Sequence, residues 1–461
     1  MIGRRLPALA LVLAAGAFHL AIPAPAAAAA LPRPDERESP NRRTPVVAAV
    51  ERVRGAVVNV SAEELVRIRE PSRARTMGEL LFGELFEAPK YRRGYRTTSL
   101  GSGVVVSPDG YLLTNNHVVE RGTRFRIGFV DGRELQARVV GTDPSSDLAV
   151  LKIDAKERFA YVPMGRSDRL LIGEPVIAIG NPFGLSHTVT TGVLSAVGRT
   201  FDTGERKMFD FVQTDASINP GNSGGPLLDI DGRLIGINTA ILGQMNAGIG
   251  FAIPIDRARR IAEELVAHGE VRVGYLGVVV DDRPAREGAP EGTSGGAVVV
   301  SVDPGSPAQG AGIRRGDVVE SVNGAAVGGA DEFRFRAREL GIGRAARLEL
   351  VRGERRVTVS VTAIELGPKT AEALVASRVG LKLAHEPVRG GNVVVVAAVT
   401  RGSPAARAGI QAGDLVREVN SAEVRTMADF RQAAARARGA GRLVLLVQRG
   451  YASERIAFAF D

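Results

Sequence analysis

The chain has 461 residues, 44% of them apolar and 24% charged, which is ordinary for soluble globular protein and leaves room for roughly three domains of about 150 residues. The formal net charge is +9, from 60 basic and 51 acidic residues; the basic ones are mostly arginines scattered among acids without interleaved aromatics, which argues against a nucleic-acid partner. Cysteine is absent, so a disulfide framework, a thiolate metal site and a lipidated cysteine are excluded; neither a metal nor any other cofactor is expected.

Arg4 and Arg5 precede an apolar run from Leu6 to Ile22, followed by Pro23-Ala24-Pro25 and an alanine tract. Residues 1–30 read as a signal peptide cleaved between Ala26 and Ala30, with an uncleaved anchor as the competing reading. Residues 31–45 form a Pro-, Arg- and Glu-rich lead-in with little to bury. Thr44-Pro45 predicts a helix through Val53, and a strand follows over 56–60. Residues 63–98 are polar apart from a short amphipathic patch at 77–86, read as a docking or assembly loop.

From Gly101-Ser102-Gly103 onward the pattern is β-rich. Val104 to Val106 and Tyr111 to Thr114 flank Ser107-Pro108-Asp109-Gly110, a hairpin signal. Short strands are predicted at 125–129, 135–141, 148–153, 175–179, 188–196, 211–214, 226–228, 234–240 and 250–253, a spacing that fits a Greek-key sandwich or a pair of barrels. A helix over 256–268, with Ile261, Leu265 and Val266 as its apolar positions, closes this domain, assigned to residues 46–268.

The remainder repeats itself. Gly305-Ser306-Pro307-Ala308 aligns with Gly402-Ser403-Pro404-Ala405 at an offset of 97 residues, and the same offset carries Gly316-Asp317 onto Gly413-Asp414, Asn323 onto Asn420, Phe333 onto Phe430 and Arg352-Gly353 onto Arg449-Gly450. Two copies of one small domain are expected, at residues 271–365 and 370–461.

Gly221-Asn222-Ser223-Gly224-Gly225-Pro226 is a glycine-crowded turn around one serine. It suits either a plain turn between strands or a nucleophile whose neighbouring N–H groups form an oxyanion hole. A serine nucleophile needs a base and the base an orienting carboxylate. Of five histidines, only His117 follows a buried-looking strand, in Thr114-Asn115-Asn116-His117-Val118-Val119. Asp147 opens an apolar strand after Asp143-Pro144-Ser145-Ser146. The order His117, Asp147, Ser223 is that of chymotrypsin-like barrels.

Residues 114–119, 147–153 and 180–184, the run Gln213 to Pro226, Gly236-Ile237-Asn238-Thr239 and Gly250-Phe251-Ala252-Ile253-Pro254 resemble the HtrA (Deg) family of trypsin-like serine proteases, over nearly all of the mature chain. The resemblance implies a mainly β fold, a chymotrypsin-like double β-barrel followed by two PDZ domains. It implies that Ser223 attacks, His117 moves the proton and Asp147 orients it. Gly221, Asn222 and Ser223 would supply the oxyanion hole, and Ile218, Thr239 and Ile241 an apolar pocket for the residue before the cut.

Tyr275, Leu276 and Gly277 would hold a peptide C-terminus in the first PDZ domain, and Leu381, Lys382 and Leu383 in the second. Asn222 replaces the aspartate that pairs with a newly cut N-terminus in digestive relatives. Activation is therefore expected from reordering of the loops at 198–210, 217–222 and 242–248, not from zymogen cleavage. Val273 stands where many relatives carry a basic residue, and Ser186-His187 replaces a glycine and an acid. The resemblance further implies a periplasmic quality-control endopeptidase acting on unfolded or misfolded proteins, associated with the inner membrane if the leader stays uncleaved, and assembled as a homotrimer or a larger oligomer of trimers. The alternatives are a PDZ-based chaperone or scaffold with little proteolysis, and an esterase.

Overall fold

The computed structural model describes residues 42–69, 91–181, 187–202, 207–219, 221–241, 248–283, 295–388, 391–437 and 442–460. The leader and most of the lead-in, the amphipathic patch at 77–86, and parts of the three loops expected to reorder lie outside them. Helix α1 (Pro45–Val53) buries Ala49 and Val53, one turn apart, under the first barrel.

Two six-stranded closed barrels follow. The first contains β1 (Val57–Arg69), β2 (Tyr91–Val105), β3 (Tyr111–Thr114), β4 (Arg124–Gly128), β5 (Glu134–Asp143) and β6 (Leu148–Ile153). The one-turn helix α2 (Asn116–Val119) leaves β3. The second contains β7 (Pro175–Gly180), β8 (Thr188–Asp202), β9 (Lys207–Thr214), β10 (Pro226–Asp229), β11 (Leu234–Ile241) and β12 (Gly250–Pro254). The barrel pair is thus the outcome, not the sandwich. The polar stretch at 63–98 is not all loop: β1 and β2 continue through it as a paired ribbon beyond a register shift at Ala62/Glu63. The stretch is rich in charged residues and lacks a sustained apolar alternation, only Val66-Arg67-Ile68-Arg69 alternating as a half-buried strand does.

Closure of each barrel removes sheet edges and directs alternate side chains inward. Val58, Val60, Leu112, Leu113, Ile127, Leu148 and Leu151 are fully buried in or beside the first barrel, each such side chain contributing about 1.5–3 kcal/mol of burial free energy. Helix α3 (Ile255–His268) packs Ile255, Ala258, Ile261 and Leu265 into the same core. Val266 is 44% exposed, because it sits about 100° around the helix from Leu265. Gly269 ends the helix in the left-handed region at φ +75°.

The repeats fold as two matching sheets. The first has β13 (Val278–Asp282), β14 (Ala297–Val302), β15 (Val318–Val322), β16 (Ala325–Ala326), β17 (Ala345–Arg352) and β18 (Arg355–Thr362), with helices α4 (Pro307–Gly310) and α5 (Ala330–Arg338). The second has β19 (Leu381–Val388), β20 (Gly391–Val399), β21 (Leu415–Val419), β22 (Ala422–Glu423), β23 (Arg442–Arg449) and β24 (Ala452–Ala459), with α6 (Pro368–Leu374), α7 (Pro404–Arg407) and α8 (Met427–Ala437).

The repeated residues do the same work twice. Arg352 grips Asp317 through Nε and Nη2 at 2.7 and 2.8 Å and donates to Gly312 O at 2.7 Å. Arg449 grips Asp414 at 2.6 and 2.7 Å and donates to Gly409 O at 2.8 Å. Burial raises the Asp317 carboxyl pKa, but the Arg352 hydrogen bond, the Arg314 N–H and the two arginine charges lower it further, leaving it below its ordinary value. A folded pKa below the unfolded one contributes stability above the ordinary carboxyl value and loses it as pH falls through the folded value. Arg352→Ala strands a carboxylate that is 1% exposed, so it is expected to destabilise the fold by about 3 kcal/mol, read from the urea midpoint of the full chain.

Candidate functional site

The candidate nucleophile Ser223 lies between β9 and β10, where two glycines are required. Gly221 has φ +108°, and Gly224 has φ +82° with so little room that a Cβ would lie 2.2 Å from Ser102 O and 2.3 Å from Thr114 Oγ1. The turn is closed by Asn222 N–H to Asn219 O (2.9 Å), Gly224 N–H to Asn238 O (2.8 Å) and Gly225 N–H to Asn222 O (2.9 Å). Among the described residues the N–H groups of Gly221 and Ser223 have no acceptor. Those are the two donors an oxyanion hole needs free.

Asn222 departs from expectation. Its N–H is spent on Asn219, its Nδ2 donates to Ser217 O at 3.2 Å, and the residue is 3% exposed against Gly180. A buried amide must be satisfied inside, so Asn222 serves the turn, with its backbone N–H and one Nδ2 hydrogen spent there.

Ser102, on β2, ties this turn to the rest of the site. Its Oγ donates to Gly221 O at 2.5 Å and accepts from Asn181 N–H at 2.8 Å. Its N–H donates to Ser223 O at 2.8 Å and its carbonyl accepts from Thr114 Oγ1 at 2.7 Å. The hydroxyl therefore holds the peptide between the two free N–H groups. Ser102→Ala is expected to lower kcat by about tenfold to a hundredfold with KM nearly unchanged, measured by steady-state hydrolysis of a peptide substrate.

Asp147 caps β6 from an unusual backbone, φ +54°, and is 8% exposed. Its carbonyl accepts from Asn116 N–H (3.2 Å) and Asn115 Nδ2 (3.0 Å), clamping the start of α2. Its carboxylate accepts from His117 N–H (3.0 Å), from His117 Nδ1 (2.9 Å to Oδ2) and from Thr239 Oγ1 (2.6 Å). An ionised carboxylate has no proton to give, so the hydrogen belongs on Nδ1 and Nε2 keeps its lone pair. Burial pulls the His117 pKa down, but the hydrogen bond to Asp147 and the charges of Asp147 and Glu120 push it up further, to a net value above the ordinary one.

Ser223 Oγ donates to Thr239 O at 3.2 Å, and among the described residues no hydrogen bond joins it to His117. Thr239, expected in the pocket wall, instead touches both ends of the constellation. Ile218 is 1% exposed and packed in the second-barrel core, so it is not an open pocket wall; an apolar residue in a loop reads the same from sequence in either place. The Ile241 side chain lies outside the described residues. His187 is not a rival base: its Nε2 donates to Val57 O at 3.0 Å.

A cavity of about 790 Å³ opens between β13 and α5, lined among others by Leu276, Val278, Val280, Phe333, Ala337 and Arg338. Tyr275 N–H is bonded to Ile364 O at 2.7 Å, whereas those of Leu276 and Gly277 have no acceptor among the described residues. The second repeat differs from expectation. Gly380 (φ +85°) occupies the place of Gly277 (φ +82°): each crowds the serine of the following one-turn helix, Ser403 or Ser306, and each carbonyl accepts an N–H at 2.8 Å, from Thr400 or Asp303. The corresponding loop is Arg378-Val379-Gly380, and Leu381, Lys382 and Leu383 belong to β19. Gly380 N–H is already bonded to Val375 O at 3.1 Å.

The groove of the first repeat abuts the barrels. Arg338 on α5 donates to Asp143 Oδ1 at 3.0 Å, Arg260 pairs with Glu339 at 2.7 Å, and Phe335 stacks on Phe209 at 5.4 Å beneath the Arg257 guanidinium. None of these partners was marked by the sequence; only the clustering of arginines on α5 hinted at them. Among the described residues no group of three or more acidic or histidine side chains could hold a metal, and no helix is long and apolar enough to cross a membrane.

The trypsin-like peptidase domain family matches residues 101–237, and PDZ domain families match 274–363 and 395–449. A probable periplasmic serine endoprotease, DegP-like, of Brucella suis biovar 1 (strain 1330) is 39% identical over 382 residues, 78% of this chain and 73% of that protein. The chain belongs to the HtrA (Deg) family of serine endoproteases. Escherichia coli (strain K12) supplies another such relative, the periplasmic pH-dependent serine endoprotease DegQ, 39% identical over 341 residues, 72% of this chain and 75% of its own. The solved HtrA-type protease AlgW with a decapeptide superposes with a TM-score of 0.52 at 36% identity, covering 68% of this chain and 97% of that one. The double barrel and two PDZ domains are therefore an HtrA architecture, and the protein is a serine-type endopeptidase.

Proposed function

We propose that this HtrA protease cleaves unfolded or misfolded polypeptides in the periplasm through Ser223, His117 and Asp147. The observation that carries the reading is the Asp147 carboxylate, which holds His117 Nδ1 at 2.9 Å and Thr239 Oγ1 at 2.6 Å while Thr239 O holds the Ser223 hydroxyl at 3.2 Å. The reaction requires the Ser223 side chain to leave Thr239 O and present Oγ to the lone pair on Nε2. Oγ then bonds to the substrate carbonyl carbon as its proton passes to Nε2, and Asp147 stabilises the imidazolium. The carbonyl oxygen gains the negative charge against the N–H groups of Gly221 and Ser223. The C–N bond breaks with return of the proton to the departing amine, and water repeats the sequence on the acyl-enzyme.

The first PDZ groove, with the free N–H groups of Leu276 and Gly277 at its end, takes a peptide C-terminus as an added strand on β13. Because Ser145 and Ser146 line the same cavity, occupancy is felt at the residue next to Asp147. A homotrimer built through the barrels and export through the leader at 1–30 complete the reading. Labelling with a fluorophosphonate and casein degradation test it. Wild type is expected to be modified on Ser223 and to degrade casein, and Ser223→Ala to do neither while still binding casein. A wild-type protein unmodified with and without C-terminal peptides would overturn the reading.

A further inference from the structure

Asp303 lies against the loop of Tyr275, Leu276 and Gly277: its N–H donates to Gly277 O at 2.8 Å, and its Oδ2 accepts from the Tyr275 hydroxyl at 2.9 Å. That hydroxyl crowds the loop itself, since a Cβ on Gly277 would sit 3.0 Å from it. A peptide carboxylate on the N–H groups of Leu276 and Gly277 would thus share the loop's surroundings with a resident carboxylate, and like charges repel in a partly buried site. Val273, which precedes the loop, carries no charge.

The compensating cation comes from the other PDZ domain. Arg378 Nη2 lies 2.6 Å from Asp303 Oδ2, with the two side chains only 17% and 15% exposed, and Arg378 borders the same cavity as Leu276 and Val278. A separate observation joins the same two domains. Tyr275 is 3% exposed and packs in the core of the second PDZ domain, with Leu374, Val375 and Val379. The loop of one domain is therefore completed by the other.

We infer that Arg378 is a binding-site residue of the first PDZ groove, neutralising Asp303 so that the C-terminal carboxylate of an unfolded polypeptide can be held there. With Asp303 in place, full affinity of the groove then requires the second PDZ domain to be docked so that Arg378 reaches it. The second PDZ domain acts as part of the receptor, and its own loop, with Gly380 N–H already taken by Val375 O, is not an equivalent peptide end-site. The inference rests on the reading of the first groove as a receptor for peptide C-termini.

The test uses the full chain carrying Ser223→Ala, so that the probe survives, and a fluorescent decapeptide ending in valine with a free carboxylate, alongside its C-terminal amide. Fluorescence anisotropy is expected to show Arg378→Ala weakening the free-acid peptide by about tenfold or more, the scale expected when one charge of a close pair is left uncompensated. Asp303→Asn should bind at least as tightly as the parent, and Arg378→Ala/Asp303→Asn should return to the Asp303→Asn level. The amide should bind weakly to all four proteins and be nearly indifferent to the substitutions. A double variant as weak as Arg378→Ala, or an Arg378→Ala variant as tight as the parent, would overturn the inference. If the parent itself does not distinguish acid from amide, the groove reading fails instead. Because Asp303→Asn also relieves a buried unpaired carboxylate, the urea midpoint of each variant is measured alongside: Arg378→Ala should lose affinity while still fully folded under the binding conditions, and a loss seen only where that variant is unfolded would overturn the inference.

Discussion

Asp147→Asn is expected to lower kcat/KM by about 10⁴ while leaving the fold intact. The carboxamide can present its NH₂ to His117 Nδ1, which then keeps a lone pair there and moves the ring proton to Nε2, the atom that must accept the Ser223 proton. The charge that raises the His117 pKa is removed as well. In the wild type that pKa stands above its ordinary value despite burial, because Asp147 and Glu120 favour the imidazolium. Activity requires neutral imidazole, so wild-type kcat/KM should rise with pH through a midpoint above 6.5. Stability moves the other way: a raised folded pKa contributes stability fully below the unfolded value and loses it as pH rises through the folded one. In Asp147→Asn the residual activity should have its midpoint displaced downward, since burial remains and its compensation is gone. A pH–rate profile of both proteins on one peptide substrate decides the matter, and an unchanged midpoint would show that Asp147 does not set the His117 proton affinity.

What was legible in the sequence was local. The repeat register is carried by turns whose backbone only certain residues accept: Gly305 and Gly402 at φ +71° and +74°, Gly316 and Gly413 at +90° and +91°, Asn323 and Asn420 at +52° and +47°. The same constraint exposed the Gly221 to Gly225 turn. What failed to show were partners distant in the chain. Thr239 stands 92 residues from the Asp147 it bonds, and Arg338 stands 195 from Asp143; spacing carries no trace of either. The second PDZ loop was misplaced because the register is not constant. Gly402 lies 97 residues beyond Gly305 but Gly380 lies 103 beyond Gly277, the difference arising in the connection between β13 and β14. Ile218 and Asn222 were assigned by type, apolar for a pocket and polar for a donor, although in a tight turn the same types serve equally as core and as internal hydrogen-bond partner.

Arg338→Ala is expected to disconnect the first PDZ groove from the site. Asp143 is 3% exposed; its carboxylate accepts from Arg338 Nη2 at 3.0 Å and from Ser145 Oγ at 2.6 Å, and its carbonyl accepts Ser146 N–H at 3.2 Å. These bonds shape the turn that leads into Asp147, whose left-handed backbone persists only where its surroundings dictate it. Because α5 forms a wall of the groove, a peptide that displaces the helix pulls on Asp143 directly. Coupling between two sites is typically about 1–3 kcal/mol, or roughly 5- to 150-fold, and it is reciprocal. A C-terminal peptide should therefore alter kcat/KM several-fold in the wild type, and a fluorophosphonate on Ser223 should alter peptide affinity measurably, the two factors not being required to be equal because kcat/KM is a kinetic parameter. In Arg338→Ala both factors should fall towards one. Removing the cation leaves a buried carboxylate, so the variant should also unfold about 3 kcal/mol more easily, and Asp143→Asn on the same background should restore much of that stability without restoring the coupling. Coupling retained at wild-type strength in Arg338→Ala would place the transmission elsewhere, at the Phe335–Phe209 stack beneath Arg257.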